Sequence, residues 1–198
     1  MDLWPNLESA DPLELFAQWL KDAEQTEPSD ANAAALATST ADGHPSIRMV
    51  LVKRADARGF CFFTNVESKK GIQLQSNPWA ALCFHWKTLH RQVRVEGRVT
   101  ELAASDADEY FHTRSRNSQI GAAVSQQSRP LASREELEAR FRKFAQEHPG
   151  DVPRPPYWRG FCLHAEQIEF WMQGADRLHD RFLFTREAGA WSSIRLYP

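Results

Sequence analysis

The sequence predicts an α+β fold in which an antiparallel sheet closes on itself and a helical insert interrupts the strands. Three observations point there. Short apolar or alternating runs recur at 34–40, 46–55, 60–64, 80–87 and 92–102, separated by turn signals such as Asp42-Gly43, Arg58-Gly59 and Asn77-Pro78. The middle of the chain then switches to helical period, and the last third returns to strands. The long intervening helices that a parallel sheet needs are missing between the early runs.

Taken in order, the first element is a helix opening at Asp11-Pro12-Leu13-Glu14, with a capping side chain, proline in the first turn and glutamate behind it. Leu13, Phe16, Trp19 and Leu20 recur at helical spacing and read as the stripe that packs on the core. After the five strands, 105–114 reads as a helix capped by Ser105, and a short helix follows near 118–125. Ser133 and Glu136 form a capping box for a charged helix running to about His148. The proline-rich stretch 149–156 crosses over to strands at 158–163, 167–173, 181–186 and 191–196. A single domain over 1–198 is expected, with 1–10 as a flexible N-terminal arm.

Composition narrows the function classes. A chain of 198 residues can bury roughly 70% of its unfolded surface in one core. With a net charge of −2 there is no global basic field for nucleic acid or an anionic membrane, so any anion must be held by local clusters. The start Met1-Asp2-Leu3-Trp4-Pro5 is acidic and leads to no apolar run, which argues against a signal peptide. Cys61, Cys83 and Cys162 are odd in number, far apart and set in apolar segments. They are expected to be reduced, buried thiols in a cytoplasmic protein, with neither a disulfide framework nor a metal site. No glycine-rich dinucleotide fingerprint, Walker loop or nucleophile elbow is present.

The chemistry-bearing residues are basic and polar. Arg177-Leu178-His179-Asp180-Arg181 lies between two apolar runs, and on a strand Arg177, His179 and Arg181 would face one way. Such a face repels itself unless an anion lies against it, although a solvated strand edge would carry the same residues. In Thr64-Asn65-Val66-Glu67-Ser68-Lys69-Lys70 a strand ends, Ser68 can cap the next helix, and two lysines occupy its first turn. Free backbone N–H groups, the helix dipole and two ammonium groups would converge on a phosphate there; solvated surface lysines are the plainer alternative. Arg48-Met49-Val50-Leu51-Val52-Lys53 is an apolar strand with a basic residue near each end, and parity sets Arg48 and Lys53 on opposite faces. Tyr110 and Arg114 share a helix face with Ser118 just beyond, a set suited to a second phosphate. Gln92 lies opposite the valines of its strand, where an amide could read a heterocycle edge. Nothing resembles a nucleophile with its base. Two phosphate-sized clusters, a reading amide and aromatics such as Trp171 suit a phosphorylated cofactor beside a phosphorylated substrate.

Together these residues resemble the pyridoxine/pyridoxamine 5′-phosphate oxidase family, from about Asp11 to Pro198. The matching segments are 48–53, Phe63-Thr64, Ser68-Lys69-Lys70, Arg91-Gln92-Val93, 110–114, 118–122, Gln127-Ser128, Glu169-Phe170-Trp171, 177–181 and Arg195-Leu196-Tyr197-Pro198. The resemblance implies a split β-barrel homodimer with FMN at the subunit interface. It implies FMN contacts from Arg48, Met49, Val50, Leu51, Lys53, Phe63, Thr64, Lys69, Lys70, Gln92, Gln127, Ser128, Trp171 and Arg181. The substrate phosphate would meet Lys53, Tyr110, Arg114 and Ser118, and Arg177 and His179 would lie against the pyridine ring. The implied reaction converts pyridoxamine 5′-phosphate or pyridoxine 5′-phosphate to pyridoxal 5′-phosphate, with hydride passing to the flavin and O2 giving H2O2.

Phe63 stands where the family often has tyrosine, and Lys69 where arginine is usual, which keeps the charge but loses the bidentate fork. Longer members carry an N-terminal segment with arginine and tyrosine that folds over the substrate, and no counterpart is expected here. Two other functions stay open at this point: an FMN oxidase of another aromatic substrate, of the phenazine type, and a non-catalytic flavin- or pyridoxal-phosphate-binding protein.

Overall fold

The computed structural model describes residues 10–198. Helix α1 (Pro12–Thr26) starts where the Asp11 carboxylate accepts the Leu13 N–H at 2.8 Å, and it buries Phe16, Trp19 and Ala23. Strands β1 (Ala33–Ser39), β2 (Pro45–Asp56) and β3 (Gly59–Asn65) follow, then α2 (Lys69–Ser76), β4 (Trp79–Trp86) and β5 (Arg91–Glu101). The insert holds α3 (Ala104–Thr113), α4 (Arg116–Val124) and α5 (Arg134–Glu147), and the chain ends with β6 (Trp158–Met172), β7 (Asp180–Glu187) and β8 (Ala190–Arg195).

The strands pair antiparallel in the order β3-β2-β1-β4-β5-β6-β7-β8, and β3 also pairs with β6. That extra pairing closes the first six into a barrel, as the alternating runs predict, while β7 and β8 extend from the second half of β6. Alternation decides which side chains fill it: on β5, Val93, Val95 and Val99 turn in while Arg94, Glu96 and Arg98 turn out. Phe16 of α1 packs edge-on against Phe60 and Phe84 with ring centroids 4.8 and 4.9 Å away, so α1 completes the barrel core. A second cluster of Ala107, Phe111, Ile120, Val152 and Trp158 seats the insert against Phe63. No helix among the described residues is long and apolar enough to cross a membrane.

The structure corrects three local expectations. The runs at 158–163 and 167–173 are one strand, β6, because Gly97 pairs with Ala165 and Glu96 with Gln167, leaving Glu166 as a bulge. A bulge resets the facing of side chains, so one strand reads as two. Helix α3 begins at Ala104 with Ala103 at the cap position and no side-chain cap, so Ser105 lies inside the first turn. Cys61 and Cys162 are not free thiols: they face each other in the β3–β6 ladder and form a disulfide, with Cα atoms 4.1 Å apart. Cys83 alone remains a free thiol. The arm expected at 1–10 lies, except for Ala10, outside the described residues.

Gly71 sets how closely α2 docks, since a Cβ there would sit 2.3 Å from the Val66 carbonyl oxygen. Gly71→Ala should cost about 1–3 kcal/mol through overpacking against backbone that cannot yield. Thermal unfolding checks this, and an unchanged Tm would contradict it.

Candidate functional site

The basic cluster at the start of α2 is built by a strand end, a capped helix and a distant loop. Ser68 caps α2, its Oγ accepting the Gly71 N–H at 3.4 Å. Lys70 bends back so that its Nζ donates to Thr64 Oγ1 at 3.1 Å and to Gln127 Oε1 at 2.7 Å. Arg48, on the inward parity of β2 with Val50 and Val52, donates to the Leu36 carbonyl, Thr38 Oγ1 and Ser46 Oγ. Gln73 of α2 is itself buried and accepts from Thr38 and Ser46 through one oxygen, which fixes the Arg48 side chain. Burial, with the Arg48 charge beside it, lowers the Lys70 pKa to about 8. Burial also lowers the pKa of Arg48. The hydrogen-bond partners of both cations are neutral oxygens, so the helix N-terminus and two partly buried positive charges lack a hydrogen-bonded counter-charge.

A second cationic group adjoins it through an aromatic stack. Phe63, Tyr110 and Trp158 cluster as a triangle of rings, with Phe63 4.3 Å from Tyr110 and 5.3 Å from Trp158, and Tyr110 6.0 Å from Trp158. The Arg114 guanidinium rests over the Trp158 ring at 5.1 Å, and Lys53 reaches the Tyr110 ring at 6.0 Å from a bulge in β2. Burial lowers the pKa of Arg114, and its Nη1 is buried with no partner. Gln119 donates to the carbonyls of Phe111 and Arg114, holding the turn from α3 to α4 that presents Arg114 and Ser118. Phe63, Arg114, Ser118 and Trp158 line a cleft of about 370 Å³ together with Thr64, Asn65 and Gln127. Lys69, Gln127 and Ser128 are exposed, and Ser128 adopts a φ of 71°.

The remaining residues gather elsewhere. Gln92, Trp171 and Arg181 form one row across β5, β6 and β7, on the face away from the core. His179 packs on Trp171 with centroids 4.7 Å apart, and its Nδ1 accepts the Gly174 N–H at 3.2 Å. In the neutral ring that leaves the proton on Nε2. The expected alternation of Arg177, His179 and Arg181 fails at Arg177. Residues Ala175–Arg177 form a 3-10 turn with Asp176 and Arg177 at φ of 52° and 64°, because the chain must reverse between β6 and β7. Arg177 is exposed there. The anion lying against Arg181 is internal: the Glu169 carboxylate, at 2.9 and 3.1 Å.

These two groups do not meet on one chain. β2 and β5 are three strands apart whichever way the barrel is followed, so their outer faces point in opposite directions. Met49 and Leu51 stand outward on β2, 63% and 39% exposed, while Val50 packs on the core. Sequence reading gave no role to Gln73, Gln119, Trp158 or Glu169, although Gln119 and Glu169 lie in matching segments. Of these only Glu169 had a local signal, a charged residue two before Trp171 and so on its strand face.

Residues 20–148 match the family described as pyridoxamine 5'-phosphate oxidase, and residues 158–198 its pyridoxine 5'-phosphate oxidase C-terminal dimerisation region. A pyridoxine/pyridoxamine 5'-phosphate oxidase of Rhodospirillum rubrum is 55% identical over 98% of this chain and 99% of its own length. One from Gluconobacter oxydans is 52% identical over 96% of this chain and 95% of its own. Among solved structures, PhzG from Burkholderia lata 383, in complex with tetrahydrophenazine-1-carboxylic acid, superposes with a TM-score of 0.93 at 31% identity, covering 99% of this chain and 98% of that one. A pyridoxamine 5'-phosphate oxidase-related, FMN binding protein from Nostoc punctiforme shares the fold, with a TM-score of 0.79 at 19% identity over 96% of this chain and all of its own. Closed barrel, paired cationic groups and end-to-end likeness agree, and the chain belongs to the pyridoxamine 5′-phosphate oxidase family.

Proposed function

We propose that this protein is an FMN-dependent oxidase that converts pyridoxamine 5′-phosphate and pyridoxine 5′-phosphate to pyridoxal 5′-phosphate. One observation carries the reading: Lys70, Arg48 and Arg114 are partly buried cations set among neutral groups, and Arg114 keeps a buried, unpartnered Nη1. Burying a charge without a counter-ion is costly, and two phosphates supply what is missing. FMN fits the α2 end, where Arg48, Thr64, Lys69, Lys70, Gln127 and Ser128 would hold its phosphate. Lys53, Tyr110, Arg114 and Ser118 would hold the substrate phosphate.

The chemistry that FMN would supply there is acceptance of a hydride from the substrate's 4′ carbon, with O2 as the final oxidant and H2O2 as its product. The protein's own residues orient and shield. Phe63 and Trp158 wall the cleft, and the Trp158 and Phe111 rings carry the Arg114 guanidinium. His179, with its proton on Nε2, can donate to the hydroxyl of the pyridine ring, and Arg177 can cover that ring from an exposed turn. Opposed faces of the barrel support a flavin seated between two copies, where the β2 side of one protomer meets Gln92, Trp171 and Arg181 of the other. The dimerisation region supports the same arrangement. Both matched regions share one sheet, because β6 pairs with β3 and β5, which supports one FMN-binding domain over 1–198.

The likeness to PhzG favours a second reading, oxidation of a phenazine-type aromatic acid. Relatives at 55% and 52% identity weigh against it. The FMN-loaded protein should form peroxide with the two pyridoxine-type phosphates and not with unrelated aromatic acids. The reverse preference would establish the phenazine-type reading, and binding without peroxide would make the protein a carrier.

Lys70 gives a pH signature. A bound phosphate holds its proton, whereas the free protein loses it near pH 8. FMN affinity should be steady just below pH 8 and fall above it, by up to about tenfold per pH unit. Lys70→Arg, charged throughout that range, should flatten the fall. A flat profile for the parent protein, measured by flavin fluorescence quenching, would remove Lys70 from the phosphate. Arg177→Ala should lower turnover with pyridoxine 5′-phosphate on the order of 100-fold with little change in FMN affinity. Near-normal turnover would end the role given to Arg177.

A further inference from the structure

We propose that Glu169 is a positioning residue for the flavin: it holds the Arg181 guanidinium in a single orientation beside Trp171. This rests on the reading that Arg181 contacts FMN.

Phe170 enters the core, so alternation turns Glu169 outward on β6, where a carboxylate is ordinarily solvated. Yet Glu169 is only 4% exposed. Its cover is two guanidinium groups: Arg94 from β5 donates to Oε2 at 2.5 Å, and Arg181 from β7 donates Nε to Oε1 and Nη2 to Oε2. The Arg181 Nη1 donates in turn to the Tyr197 carbonyl at 2.9 Å, which ties down the C-terminal segment. Three of the five N–H donors of Arg181 are thus committed, and one on each terminal nitrogen is left for a ligand.

Stability gives little reason for this arrangement. β6 is already paired along this stretch with β5 and β7, and buried ion pairs seldom improve on apolar packing. What the carboxylate does is geometric. Removing its charge would leave Arg181 and Arg94 as unscreened like charges, and Arg181 would swing toward solvent. A guanidinium fixed before the ligand arrives loses less freedom on binding. The Arg94–Glu169–Arg181 trio retains one net positive charge, which suits an electron-rich or anionic partner.

The test is a double-mutant cycle on FMN affinity, read by fluorescence quenching of FMN with the dimeric apoprotein and accompanied by its thermal unfolding. Glu169→Gln keeps shape and removes charge; it should weaken FMN binding about tenfold. Arg181→Ala should weaken it at least as much, and the double variant should be no worse than about twofold beyond Arg181→Ala alone. Additive losses, or an unchanged affinity in Glu169→Gln, would overturn the positioning role while leaving Arg181 at the flavin. Unchanged affinity in Arg181→Ala would defeat both the role and the placement of Arg181. If Glu169→Gln does not fold, Glu169→Asp enters the same cycle, since its shorter arm cannot span both arginines, and the same outcomes decide.

Discussion

The β3–β6 pairing is the constraint on which the rest depends. It closes six strands into a barrel, and once the barrel is closed the outer faces of β2 and β5 point in opposite directions. Met49, Leu51 and Lys53 stand on the outer face of β2, and Gln92, Trp171 and Arg181 on the outer face of the β5–β7 side. Residues suited to a flavin and its substrate therefore fall into two halves that a single chain keeps apart. A second copy is the direct way to bring unlike halves together, since a two-fold axis repeats each half on the opposite protomer.

Electrostatics gives the first half its character. Lys70, Arg48 and Arg114 are partly buried among hydroxyls, amides and aromatic faces rather than carboxylates. In an unliganded protein that arrangement is unfavourable, and burial accordingly shifts all three toward the neutral form. A phosphate reverses the balance, so the cost of burying these charges is recovered as affinity for an anion. The second half works differently. Glu169 neutralises one of two arginines there, leaving a rigid and only weakly positive surface beside Trp171 and His179.

Much of this was legible in the sequence, and the failures share a cause. Local signals worked: the Asp11 and Ser133 caps, the strand runs, and Ser68 capping a helix with Lys70 in its first turn. The opposite facing of Arg48 and Lys53 followed from alternation alone. Features set by distant partners were invisible. Gln127 meets Lys70 across 57 residues, and Cys61 meets Cys162 across 101, through a closure that no local pattern announces. Parity misled at Arg177 because the turn there takes left-handed backbone, and at Glu166 because a bulge shifts the register. The family resemblance named Arg177, Trp171 and Arg181 together, whereas alternation alone placed Arg177 on the wrong element.

Subunit complementation tests the central claim, that each flavin site draws on two copies of the chain. Lys70→Glu damages one half and Trp171→Ala the other, so each homodimer carries two defective sites. Mixing the two after reversible dissociation gives hybrid dimers in which one site carries both defects and the other carries none. Shared sites predict that the mixture recovers roughly a quarter of the parent's bound FMN and peroxide-forming activity, from half the dimers with half their sites intact. If every site were built within one chain, the mixture would stay as inactive as its components, and that result would contradict the account.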